Sequence, residues 1–305
     1  MEWQPDWGLR VRMLVALSLV GIPYVLAGYV VVTYTSGAGT AVFALLFLGF
    51  AAVQFFSLDV LVRQGLGVRE ATEDDDPRLH GTVERLSQQA NIPTPTVGLV
   101  DSEVPNALVV GRNRAHATIV VTTGLLETLE DDELEAVLAH ELAHVKNRDV
   151  FVMTVASVLS MIISMLVVLW RSDGTHPTTG RRPRTGHGYG TRPHHRPIGA
   201  TVVAVLLAPL WIVCHLPVRL LSRYREFAAD RGAVALTGST GALASALQAV
   251  DDELEATPET DLRGAAELNA FFILPVESGP FDRFFASHPD LEARLEYLRD
   301  LERSR

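Results

Sequence analysis

Apolar residues follow two different patterns along this chain. In four places they run almost unbroken: about Met13 to Tyr34, Ala38 to Leu58, Val150 to Trp170 and Ile198 to Leu216. Each run approaches or exceeds the roughly 20 residues a helix needs to cross a bilayer, so each predicts a membrane-spanning helix. A cleaved signal peptide fits the first run less well, because a second follows almost at once and no small-residue cleavage site stands out. Elsewhere the apolar positions are periodic. Leu79, Val83, Leu86 and Ala90 fall at helical spacing, which predicts an amphipathic helix over Pro77 to Ala90 with the proline at its start. Three β-rich runs follow: Thr96 to Val100, Ala107 to Val110 and Ala117 to Thr122. The last two flank the polar turn Gly111-Arg112-Asn113-Arg114 and predict a hairpin. A long helix is expected over Glu130 to Arg148, with carboxylates massed in its first turns where the helix dipole favours them. Beyond the fourth apolar run the chain reads as all-helical, with helices over Ser239 to Ala256, Asp261 to Ala270 and Pro289 to Arg303.

These patterns predict a mainly α-helical, polytopic membrane protein with a helical domain outside the membrane and a small β-sheet. Its expected divisions are an N-terminal helix pair (1–62), a first polar segment (63–149), a membrane hairpin (150–218) and a helical C-terminal segment (219–305). Within the hairpin, 171–197 is rich in Gly, Pro, Thr, Arg and His without apolar periodicity, and reads as disordered. Arg10, Arg12, Arg63 and Arg69 put the polar segments on the cytoplasmic side by the positive-inside tendency. That leaves the 171–197 loop outside, although it carries Arg171, Arg181, Arg182, Arg184, Arg192 and Arg196. Either the first spans dominate the orientation, or the hairpin, which contains Pro209 and His215, does not cross fully.

Composition narrows the chemistry. The 305 residues are 48% hydrophobic and carry a net charge of −10, which argues against nucleic acid as a partner. Lysine occurs once, at Lys146, so 25 of the 26 basic residues are arginine. A halophilic source and a GC-rich codon bias both account for an acidic, lysine-poor chain. The lone cysteine, Cys214, excludes an internal disulfide and a thiolate metal cage, so a metal site must use His, Asp and Glu.

Such a set is present. His140-Glu141-Leu142-Ala143-His144 falls inside the long expected helix, where residues i and i+4 share a face one turn apart. Two imidazoles so placed can share one zinc, and Glu141 projects close enough to act as base on a water activated there. A catalytic zinc usually takes three protein ligands. If the third and fourth runs form an antiparallel hairpin, helices continuing beyond it bring Glu226 towards the histidines. Asp230, one turn on, could then hydrogen-bond a ligating histidine. From spacing alone, a solvated helix face remains the alternative for both acids.

The H-E-x-x-H motif together with Ser222-Arg223-Tyr224-Arg225-Glu226-Phe227-Ala228-Ala229-Asp230 resembles the HtpX-type membrane metalloproteases, relatives of the CAAX prenyl endopeptidases. Pro105-Asn106-Ala107 and the stretch from Ser287-His288-Pro289 to Arg294 are similar to the same family's pattern. The resemblance implies one zinc held by His140, His144 and Glu226, with Glu141 as catalytic base and His288 stabilising the oxyanion. It also implies that Arg294 pairs with Asp230, and that Asn106 and Ala107 lie on an edge strand that binds the substrate backbone. The partners it implies are a lipid bilayer and unfolded or membrane proteins, in a quality-control role.

Two rival readings remain at this level. One is a protease cutting within the bilayer, or a CAAX-type endopeptidase. Asp131, Asp132, Glu133, Glu135, Lys146, Arg148 and Asp149 around the motif are a poor composition for membrane depth. The other is a non-catalytic metal-binding scaffold, which would not need Glu141.

Overall fold

A computed structural model describes residues 7–34, 37–42, 44–45, 48–49, 52, 63–64, 66–111, 113–149, 220–256 and 289–304. Its elements, in chain order, are α1 (Trp7–Tyr34), β1 (Arg69–Glu70), α2 (Pro77–Ala90), β2 (Thr96–Val100) and β3 (Ala107–Val110). A single 3₁₀ turn (Arg114–His116) leads into β4 (Thr118–Thr122), α3 (Thr123–Thr128) and α4 (Asp131–Asn147). Then come α5 (220–237), α6 (Thr240–Ala256) and α7 (Leu291–Arg303). The described part is thus mainly helical with one small sheet.

The sheet has the order β1-β2-β4-β3. The expected hairpin is present: β3 and β4 pair antiparallel with Ala107 opposite Val121, while β2 lies parallel to β4. The two-residue strand β1 was not expected. Along the strands, alternate residues face opposite ways. Val97, Leu99, Ala107, Val109, Ile119 and Val121 enter the main core, and Val100, Leu108, Val110 and Val120 pack on the other face with Leu66 and Val68. Because both faces are covered, the strands are apolar almost throughout, as doubly buried strands are.

α2 occupies the predicted span and buries Leu79, Val83, Leu86 and Ala90. The Asp76 carboxylate accepts from Leu79 N at 3.0 Å and caps the helix, and Pro77 fills the first position. The short α3 escapes a periodicity search because it is only six residues long. The Thr122 hydroxyl, which accepts from Leu125 N at 3.2 Å, starts it directly at the end of β4. Gly124 lies against the preceding loop so closely that a Cβ there would stand 2.1 Å from the Glu103 carbonyl oxygen. Its N–H donates to Ser102 O at 2.8 Å, which fixes the approach to β3.

α4 runs through the middle of the main core, touching α2, β3, β4 and α6. α1 extends the first apolar run by six residues at its N-terminal end. Its opening turns pack Leu9, Met13 and Ala16 against Leu221 and Ala228 of α5. Arg12 lies over the Tyr224 ring, 3.9 Å from its centroid, a cation–π contact. Among the described residues no helix is long and apolar enough to cross a membrane, and the side chains of α1 are described without a break only as far as residue 19. Most of the second apolar run, all of the third and fourth, the 171–197 loop and the helix expected over Asp261 to Ala270 lie outside the described residues.

Candidate metal centre

The site begins with the way α4 starts and stops. Glu133 accepts from the Glu130 N–H at 3.0 Å, satisfying one of the free donors at the helix start. At the other end Arg148 adopts a left-handed conformation (φ 63°), closing the helix and redirecting the backbone at Asp149. Between these ends the helix passes from exposed carboxylates into the core, so that His140, Glu141 and His144 are all buried.

The two imidazoles meet at their Nε2 atoms, 3.2 Å apart, with ring planes nearly perpendicular at 87°. α5 runs alongside and presents Glu226 and Asp230 from one face, four residues apart. Glu226 Oε2 lies 3.4 Å from His140 Nε2, and Oε1 lies 3.7 Å from His144 Nε2. Asp230 reaches the far side of the first ring, with Oδ1 3.0 Å from His140 Nδ1. α7 then closes the centre. The Phe227 and Tyr297 rings meet with centroids 5.0 Å apart, tilted by 60°, and Arg294 grips Asp230 with two bonds, Nε to Oδ2 at 3.0 Å and Nη2 to Oδ1 at 2.5 Å.

Asp149 was not anticipated as part of the site. One residue past the left-handed Arg148, its Oδ2 lies 2.8 Å from His144 Nδ1. A continuous helix would carry the fifth residue after His144 well round the cylinder. The turn at Arg148 is what brings it back. An acid just beyond the end of a histidine-bearing helix is a usable sequence signal only once that turn is known.

The donor set fits a divalent cation on three counts. Ionised carboxylates only accept, so Asp230 and Asp149 fix the protons on the two Nδ1 atoms. Both Nε2 atoms then present lone pairs to each other and to Glu226, an arrangement that needs a cation between them. Ligands about 2.1 Å from a tetrahedral ion stand about 3.4 Å apart, close to the spacings just given. The charges also balance. The charged side chains buried among the described residues are Glu141, Asp149, Glu226, Asp230, Arg225 and Arg294. Four carboxylates against two guanidiniums leave two negative charges. The same demand shows in His140. Burial opposes its protonation, but the Asp230 and Glu226 carboxylates outweigh this and raise its pKa to about 9. Burial likewise opposes the Asp230 charge, and Arg294 and His140 hold its pKa below the usual value instead.

Of the other expected site residues, Asn106 is buried at the entry to β3. Its N–H donates to Thr122 Oγ1 at 2.8 Å and its carbonyl accepts from Thr122 N at 3.0 Å. Ala107 opens β3, which is an outer strand of the sheet and packs against α4. His288 lies outside the described residues.

Residues 73–302 match the model of peptidase family M48. The chain is 40% identical to Protease HtpX homolog 2 of Methanosarcina mazei, covering 99% of this chain and 98% of that protein. It is 41% identical to the Protease HtpX homolog of Moorella thermoacetica, covering 97% and 95%. Among solved structures, S. mikatae Ste24p is similar in fold, with a TM-score of 0.54 at 21% identity, over 95% of this chain and 65% of that one. With a His-His-Glu centre at the junction of α4 and α5 and full-length kinship to the HtpX homologues, the chain belongs to peptidase family M48 and is a metalloprotease of the HtpX type.

Proposed function

We propose that this metalloprotease is a zinc endopeptidase, anchored in the membrane with its active site facing the cytoplasm, that cuts internal peptide bonds of unfolded or membrane proteins in quality control. The observation that carries the reading is the convergence of His140, His144 and Glu226, whose ligand atoms all lie within 4.8 Å of one another. These three would hold one zinc per chain. When bound, zinc supplies Lewis acidity that makes water a usable nucleophile near neutral pH. Glu141, buried beside His140, takes the proton of the attacking water and delivers it to the departing amine. Asp230 and Arg294 hold the His140 ring in place and keep its proton on Nδ1. An extended substrate adds to the free side of β3 by strand pairing, with Asn106 and Ala107 at the start of the contact and His288 donating to the developing oxyanion.

Membrane anchoring is supported by the apolar runs and by the outer surface of α1, where Val11, Leu14, Val15, Ile22, Val25 and Val32 are exposed. Proteolysis of an unfolded, casein-like substrate, with zinc and with a chelator, tests the activity. Cleavage that needs zinc and stops with chelator is expected; cleavage indifferent to chelator would sink the mechanism. Labelling of single cysteines placed in 171–197, from outside intact cells, tests the orientation.

A further inference from the structure

His140 is backed by Asp230, and Asp230 by Arg294. A second chain of the same composition stands behind His144. Asp149 Oδ2 lies 2.8 Å from His144 Nδ1, and Arg225 Nε lies 3.3 Å from the same Oδ2. All three side chains are buried, with Asp149 fully so. We propose that Asp149 and Arg225 form a second positioning relay, which fixes the Nδ1 proton of His144 and thereby sets how strongly its Nε2 binds the metal. The proposal rests on the metal reading given above and extends it to Arg225 and to the strength with which His144 binds.

The chemistry of the two relays is alike, but their construction differs. In the first, Arg294 grips both Asp230 oxygens. In the second, Arg225 meets one oxygen of Asp149, and among the described residues no hydrogen bond reaches Asp149 Oδ1 or Arg225 Nε in aligned geometry. A single off-axis contact polarises the carboxylate without locking it. The second relay is therefore the softer one, and His144 is the ligand whose basicity can be changed with least damage to the fold.

Sequence neighbours also make the second relay cooperative. Arg225 directly precedes Glu226 on α5, so one turn of helix reaches both ends of the same imidazole. Glu226 approaches Nε2 at 3.7 Å, while Arg225 acts on Nδ1 through Asp149. Any shift of α5 relative to α4 changes ligand and relay together. A neutral amide at 149 still accepts, but weakly, and can turn its NH₂ towards the ring and favour the wrong tautomer.

The test uses the full chain in detergent. Zinc affinity is measured by competition with a chromogenic chelator, and the visible spectrum is recorded with cobalt in place of zinc. Asp149→Asn should weaken zinc binding about 10- to 100-fold, the range for losing a partner behind a ligating histidine. The same change should alter the cobalt bands. Arg225→Met should weaken zinc less, by about 3- to 10-fold on the same scale. Combining the two should be no worse than Asp149→Asn alone, because Arg225 acts only through Asp149. Asp149→Glu, which keeps the charge on a longer stem, should recover part of the affinity. Unchanged affinity and cobalt spectrum in Asp149→Asn would overturn the proposal, as would Arg225→Met and Asp149→Asn effects that multiply. If Asp149→Asn does not fold, Arg225→Met and Asp149→Glu decide, and wild-type affinity in both overturns it. A wild-type protein that binds no zinc overturns the metal reading itself. That result is distinct from a relay failure, in which the wild type binds zinc and the relay variants bind it equally well.

Discussion

The two halves of α4 contain the same kinds of residue and do opposite things with them. In the first half Asp131, Asp132 and Glu135 face outwards, and Glu135 meets Arg85 across to α2 at 2.7 Å with both side chains partly in water. In the second half Glu141 and the two histidines are enclosed by β3, α5 and α7. A carboxylate in water keeps its hydration and contributes about 0–1 kcal/mol through a partner. Out of water it must be matched by a cation, a proton or a metal, because an unmatched buried charge costs several kcal/mol. Chemistry is thus assigned to one half by what covers it and not by residue type.

The sharpest way to probe the contrast is to change the carboxylates of the buried centre first. Glu141→Gln should keep zinc and lower peptide cleavage by about 10²–10⁴-fold, the range for losing a positioned base. Glu226→Ala should lose the metal altogether. Zinc content and turnover measured on the same samples check both, and full activity in Glu141→Gln would refute the assignment. Next in size is Arg294→Met, which strands Asp230 in the interior. It should cost about 3–5 kcal/mol, read as a lowered denaturation midpoint of the metal-free protein. Gly124→Ala should follow, at about 1–3 kcal/mol, because the added methyl meets fixed backbone at Glu103. Smallest is Glu135→Gln, expected to cost less than about 1 kcal/mol and to leave zinc affinity and turnover as they were. A large loss from Glu135→Gln would mean that the exposed half of the helix is not the passive one.

The parts readable from sequence are those dictated by local pattern. α2 and the strands β2 and β3 match their expected limits, because capping, alternation and turn residues are all written nearby. The i, i+4 histidines needed only a helix to meet. Glu226 and Asp230 were harder, since reaching α4 depends on how two distant helices lie together. Motif resemblance pointed to them where spacing left a solvated face as the alternative. Asp149 went unread because a left-handed backbone at a non-glycine residue leaves no mark in composition. Arg225 went unread because an arginine on a charged helix looks like solvent-facing polarity until its partner is known. β1 and α3 were missed for being too short to show a period.

The seam between Leu9, Met13 and Ala16 on one side and Leu221 and Ala228 on the other has a practical consequence. It clamps the helix bearing Glu226 from the surface opposite α4's histidines, with Arg12 pinning Tyr224 two residues before that glutamate. A truncated version starting near residue 63, made to obtain a conveniently water-soluble enzyme, would discard this brace and bare an oily strip on α5. Retaining the first turns of the N-terminal helix, or grafting polar residues onto that strip, is therefore a design requirement for any shortened form.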